Sequence, residues 1–165
     1  MSRYPTTIKA QCYTTLVRPT LEYASSIWNP SKKDSINKVE AVQRRAARFA
    51  RFATGDHKCS SSVTARLQQL QWETLQMRRA YAQTVLMYRI VYNLVDIPAE
   101  HHLNRTSLRT RVHSLRFMVP HTRTKVHRRS FFPQAIRLWN QLPGSVVEAD
   151  TLDSFKTQLS RATLI

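Results

Sequence analysis

Phosphoryl chemistry by paired metal ions needs carboxylates clustered tightly enough to hold divalent cations about 3.5–4 Å apart. The chain has 10 Asp plus Glu, and Glu22, Asp34, Glu40, Asp56, Glu73, Asp96 and Glu100 fall singly along it. Glu148, Asp150 and Asp153 form the one group, but they surround Thr151 at a helix-start signal, where negative charge complements the helix dipole. His57 and Cys59 make an H-x-C pair and His101-His102 an adjacent pair, yet a zinc site needs four ligands at recognisable spacing and no second half is present. Cys12 beside a histidine would be a nominal nucleophile, but Ile8, Cys12 and Leu16 fall at i, i+4, i+8, a stripe that predicts a buried, inert thiol. No metal, cofactor or small-molecule substrate is expected. What remains is cationic chemistry, because neutralising phosphates requires little beyond clustered Arg and Lys.

Two stretches supply the cations. The first is the run Ile36, Val39, Val42, Ala46, Phe49, Ala53, which predicts a helix over residues 32–53, opened by Ser31 with Asp34 as a capping box and closed by Gly55. Its other faces carry Lys32, Lys33, Lys38, Arg44, Arg45, Arg48 and Arg51. The second is the stretch from Leu103 to Arg137, with nine basic residues, three interleaved histidines (His113, His121, His127) and no Asp or Glu. Arg is commoner than Lys, which favours bidentate phosphate contacts.

Other elements must position these. Pro5 and the Ile8 stripe predict a short first helix to Val17, interrupted at Arg18-Pro19 and continued by Leu21, Tyr23, Ala24, Ile27 and Trp28 up to Asn29-Pro30. Ser60, Ser61 and Ser62 offer a cap for a helix to Leu70, and Leu75, Ala82, Leu86, Ile90, Val91 and Leu94 predict a core-facing helix over 73–95, ended by Asp96-Ile97-Pro98. Residues 99–129 show no sustained period and read as loop with at most a short strand around Leu115–Val119. Ser130 caps a helix through Trp139, Leu142-Pro143-Gly144 breaks it, and Thr151 opens a last amphipathic helix with Leu152, Phe155 and Leu159 inward. Trp28, Trp72 and Trp139 are chemically suited to stacking on bases, but each sits at a helix boundary within apolar periodicity, which favours packing.

The 165 residues carry 26 Lys plus Arg against 10 Asp plus Glu, a net charge of +16 that suits a polyanion partner. With 42% hydrophobic residues the chain can bury a core. Two glycines exclude Gly-rich phosphate cradles and make helix the default. Two cysteines without a C-x-x-C pair, no signal-like start and no spanning apolar run predict an intracellular chain without a membrane segment, in nucleus or cytoplasm. The expected fold is mainly α: a helical bundle over residues 1–97 and a second, smaller helical lobe with a long basic loop, with room for a short β-hairpin, over 98–165.

Five blocks resemble a known family in its own order. They are Tyr13-Thr-Thr-Leu-Val-Arg-Pro-Thr-Leu-Glu-Tyr-Ala-Ser-Ser-Ile-Trp-Asn-Pro30, Val39-Glu-Ala-Val-Gln-Arg-Arg-Ala-Ala-Arg-Phe49 and Leu67-Gln-Gln-Leu-Gln-Trp-Glu-Thr-Leu-Gln-Met-Arg-Arg79, then Ser130-Phe-Phe-Pro-Gln-Ala-Ile-Arg-Leu-Trp-Asn-Gln-Leu-Pro143 and Leu152-Asp-Ser-Phe-Lys156. Together they resemble the region that follows the polymerase palm in reverse transcriptases of non-LTR (LINE-type) retrotransposons. The resemblance covers roughly residues 9–160 and implies a thumb and post-thumb fragment. The family's aromatic-Ala-Asp-Asp palm motif is absent, so no catalytic residue carries over and the chain is not expected to be an enzyme. A thumb grips the template-primer duplex, which makes Gln43, Arg44, Arg45 and Arg48 the first candidates for contact with RNA or an RNA/DNA hybrid backbone. Arg51, then Arg78 and Arg79, then Arg123, Lys125, Arg128 and Arg129 of the acid-free stretch complete the candidate set. The resemblance also implies a lost helix and an exposed apolar surface around Ile8, Leu16 and Leu21. The alternatives are a domesticated protein–protein interaction module, docking a polymerase supplied in trans, or a remnant without function.

Overall fold

The computed structural model describes residues 5–30, 32–51, 62–106 and 113–162, with the side chain of Arg51 outside the description. It is mainly helical: α1 (Thr6–Cys12), a π-helical segment (Tyr13–Val17), α2 (Arg18–Glu22), α3 (Lys33–Arg51), α4 (Val63–Gln69), α5 (Leu75–Val91), α6 (Lys125–Arg128), α7 (Phe131–Asn140), α8 (Gly144–Val147) and α9 (Leu152–Arg161). No strand occurs among the described residues; one antiparallel bridge, Arg105 to Phe117, stands where a hairpin had room. The chain divides into two compact units, 1–24 with 30–78 and 25–29 with 79–165, so the boundary falls inside α5 at Arg78/Arg79 instead of after residue 97, and the second unit is the larger.

In the first unit, α1 and α4 pack against α3. Pro19 does not break the first helix. Its ring would crowd the carbonyl four residues back, and the backbone widens there instead, with the Arg18 N–H donating to the Tyr13 carbonyl across a π-type turn. The face of α1 that packs inward is Lys9 and Tyr13, not the Ile8–Cys12–Leu16 stripe. Cys12 is exposed and so are Ile8 and Leu16, while Leu21 is partly buried against Tyr13; the expectation of an inert core thiol is corrected. The reason lies in partners that periodicity does not reveal. Tyr13 packs on Trp72 in a tilted arrangement with ring centroids 4.6 Å apart and donates its hydroxyl to Gln43 Oε1 at 3.2 Å, and the buried Lys9 ammonium sits 4.7 Å from the Phe49 ring centroid. Burial pushes the Tyr13 phenol up to about 12.

Ser62 caps α4, its Oγ accepting from the Thr64 N–H. At the other end the Gln71 N–H donates to Gln68 O and the Trp72 N–H to Leu67 O, the paired bonds of a Schellman motif with Gln71 at φ 54°. The same bonds, Asn93 N–H to Ile90 O and Leu94 N–H to Arg89 O, close α5 with Asn93 at φ 52°. In a chain with two glycines, ordinary residues occupy the left-handed cap positions, where a Cβ is unfavourable.

The second unit is built around Trp139, fully buried on α7 with Ala135 and Ile136. Its indole N–H donates to Leu115 O at 2.7 Å, and its ring lies 6.1 Å from Phe155 of α9, which stacks at 4.2 Å on Tyr88 of α5. The Tyr88 and Tyr92 hydroxyls donate to Ala149 O and Val147 O, both at 2.7 Å, tying α5 to the α8–α9 region. That packing gives α5 beyond Arg78 to the second unit. Asn140 holds the irregular stretch by a two-way amide bridge: Phe117 N–H to its Oδ1 at 3.1 Å, and its Nδ2 to Phe117 O at 2.8 Å. His113 is buried, its Nε2 3.3 Å from Trp139 O, and burial lowers its pKa against the raising effect of that carbonyl.

Candidate nucleic-acid interface

On α3, residues three, four and seven apart share a face. Gln43, Ala47 and Ala50 are buried, and the opposite side presents Lys38, Arg45 and Arg48, all exposed, with Arg44 half-buried at its edge and Lys33 exposed in the first turn. Lys33 to Arg48 is 15 steps along the helix, about 22 Å at a rise of 1.5 Å per residue, or roughly six base-pair steps of a duplex. Asp34 is the one carboxylate on this face, in the first turn, where it complements the helix dipole. The Arg44 Nη2 donates to Asn37 O at 3.1 Å, which orients its guanidinium along the helix. Glu40, the other acid of α3, is occupied: its Oε1 accepts from the Gln76 N–H at 2.9 Å and caps α5.

Two of the candidates are buried, and a third is engaged in an ion pair. Gln43 is buried at 1% exposure; its Nε2 donates to Glu73 O at 2.7 Å and its Oε1 accepts from Tyr13, so it clamps three parts of the first unit and reaches no ligand. Arg78 makes a two-point ion pair with Glu22, its Nη2 to Glu22 Oε2 at 3.1 Å, and lies 3.9 Å from Glu73; the Glu22 hydrogen bond raises its pKa against partial burial. Arg79 is buried, with its guanidinium carbon 5.4 Å from the Trp28 ring centroid. Arg51 lies outside the described side chains.

In the second unit Arg123, Lys125, Arg128 and Arg129 are all exposed, around α6, a turn capped by the Thr124 hydroxyl, which accepts from the His127 N–H. Arg109 and Arg111 of the acid-free stretch lie outside the described residues. The candidate cations therefore form two sets, one on each unit. Trp139 and Trp72 are core residues, and Trp28 pairs with Arg79. Among the described residues no three His, Cys, Asp or Glu side chains converge on a metal position, and no helix is long and apolar enough to cross a membrane. His57 and Cys59 lie outside the described residues.

Lys33 and Lys38 were legible on the polar faces of the 32–53 helix; the placement of Lys38 on one side with Arg45 and Arg48 required knowing which face is buried. A feature with no single-segment signal is a cavity of about 490 Å³ in the second unit, lined by His101, His102, His121 and His127 with Phe132 and Val119 among its walls. The chain matches no family model, no curated protein and no solved structure.

Proposed function

We propose that the protein is a non-catalytic nucleic-acid-binding module of reverse-transcriptase thumb type, gripping the backbone of RNA or an RNA/DNA hybrid on the exposed face of α3. The observation that carries this reading is the exposed surface of α3: four exposed cations and a half-buried fifth over about 22 Å, one carboxylate among them, and a buried side formed by Gln43, Ala47 and Ala50. Such a face neutralises phosphates without reading bases, so affinity depends on salt and tolerates sequence. The five-block resemblance supports the same assignment and supplies the class of partner. Fluorescence anisotropy of a labelled RNA–DNA hybrid with the purified chain tests it. Five backbone contacts give a log–log salt slope of about −3.5 to −4.5, and a slope near zero contradicts the reading.

The exposed apolar stripe of Ile8 and Leu16, with Val17 beside it, favours a second reading, a docking module for another protein. Leu16→Ser discriminates: it leaves hybrid affinity unchanged in the first reading and abolishes partner docking in the second.

A further inference from the structure

The cavity lined by the four histidines is unused by the α3 surface, and its composition is specific. None of its lining residues is acidic, and the stretch from Leu103 to Arg137 that supplies most of them has no Asp or Glu. Its walls combine flat rings and apolar side chains, with Met118 and Val119 held in place by the Met118 N–H to Asn104 O bond at 2.8 Å and by the Asn140 bridge to the preceding residue. His102 stacks on Phe132, centroids 4.3 Å apart and planes 18° from parallel, and His102 is the exposed member. That is a two-ring platform whose histidine is solvent-exposed. Its volume falls in the usual range of small-ligand sites, about 300–1,000 Å³. The imidazoles offer donor and acceptor nitrogens to a base edge, and the four histidines do not converge as a metal site does. The exposed Arg123, Lys125, Arg128 and Arg129 are interleaved in sequence with the lining residues His121, His127 and Ser130.

We infer that this cavity takes one unstacked nucleotide of a single-stranded nucleic acid, its base lying on the His102–Phe132 stack and its phosphates facing the flanking arginines. Bases splayed from a single strand are held by such aromatic platforms, histidine included, whereas a base inside a duplex is unavailable to them. The inference rests on the nucleic-acid reading above and adds a second kind of contact to it, base stacking in addition to backbone charge.

The test uses the full chain and histidine-ring NMR at fixed pH and salt, titrated with adenosine 5′-monophosphate and with ribose 5-phosphate, which has the phosphate and no base. The nucleotide is expected to shift the rings of His101, His102, His121 and His127 with millimolar affinity, and ribose 5-phosphate to bind about tenfold more weakly, the cost of losing one stacked base. His102→Ala and His121→Ala, both at exposed positions, should each weaken the nucleotide and leave the circular dichroism spectrum unchanged. A short adenosine oligonucleotide should displace the mononucleotide. Equal binding of the two probes, or no shift of these four rings, overturns the inference; failure of the oligonucleotide to compete makes the cavity one for free nucleotides and overturns it as well. Hybrid affinity measured on the same samples separates the two claims: hybrid binding without nucleotide shifts sinks the cavity alone, and nucleotide shifts without hybrid binding sink the α3 surface.

Discussion

Replacing Gln43 by Ala tests the division between structure and binding most sharply. Its side chain satisfies two groups at once, the buried Tyr13 hydroxyl at 3.2 Å and the part-buried Glu73 carbonyl at 2.7 Å, from a position 1% exposed. Truncation leaves both without their partner, the hydroxyl in a buried position. At roughly 1–3 kcal/mol for the buried hydroxyl left unsatisfied and about 1 kcal/mol for the part-buried carbonyl, the loss comes to about 2–4 kcal/mol. Tyr13→Phe removes one partner of one bond and should cost about 1 kcal/mol. Because the hydroxyl bond is lost in either single variant, the double variant should be less destabilised than the sum, with a coupling of about 1 kcal/mol. Urea denaturation followed by circular dichroism reads these values, and hybrid anisotropy at low denaturant reads binding by the folded fraction. The account requires a large stability loss with unchanged affinity per folded molecule. A Gln43→Ala protein that unfolds like the parent but binds hybrid poorly would refute it and return Gln43 to the interface.

Further outcomes follow from other sites. Gln71→Gly should raise stability by about 0.5–1 kcal/mol, measured by urea denaturation, because glycine takes the left-handed position at the end of α4 without the Cβ penalty. Cys12 should react with a maleimide in the native state at nearly the rate of the unfolded chain, in a Cys59→Ser background; protection would restore the core assignment. Burial lowers the His113 pKa below the unfolded value of about 6.5, so the unfolded chain takes the proton first. Its contribution is constant above that value and is lost as pH falls below it, so the melting temperature should drop between about pH 7 and pH 5, and His113→Gln should flatten that dependence. Tyr92→Phe should cost about 1 kcal/mol through the lost bond to Val147 O, with no change in hybrid binding.

Much of the helical layout was legible because its signals are local. Ser62 and Thr151 announced α4 and α9 by cap chemistry, and each accepts the backbone N–H expected of it. Phe155 and Leu159 pointed inward by spacing alone and are buried. The rotation of the first helix is not legible in the sequence: the stripe of Ile8, Cys12 and Leu16 is a sound helical pattern, and partners distant in sequence, Gln43 and Trp72 among them, place Tyr13 inside. The basic face of α3 was half legible: the arginines were visible, but Gln43 sat among them as an equal until its two bonds showed it to be a clamp. Arg78 and Arg79 look alike in sequence and have opposite surroundings, one paired to Glu22 and one against Trp28. The unit boundary has no sequence signal because α5 runs unbroken through it. The histidine cavity assembles residues from 101 to 133, across a stretch without periodicity, and no local pattern could anticipate it.

The central claim is that the exposed face of α3 grips a nucleic-acid backbone. The most direct measurement is the affinity of the Arg45→Ala, Arg48→Ala double variant for a labelled RNA–DNA hybrid across a salt series, beside the parent. The account predicts weaker binding at low salt and a log–log slope shallower by about 1.4–1.8, two contacts' worth, in a protein whose unfolding curve is unchanged. Parent-like affinity and slope in that variant would contradict it.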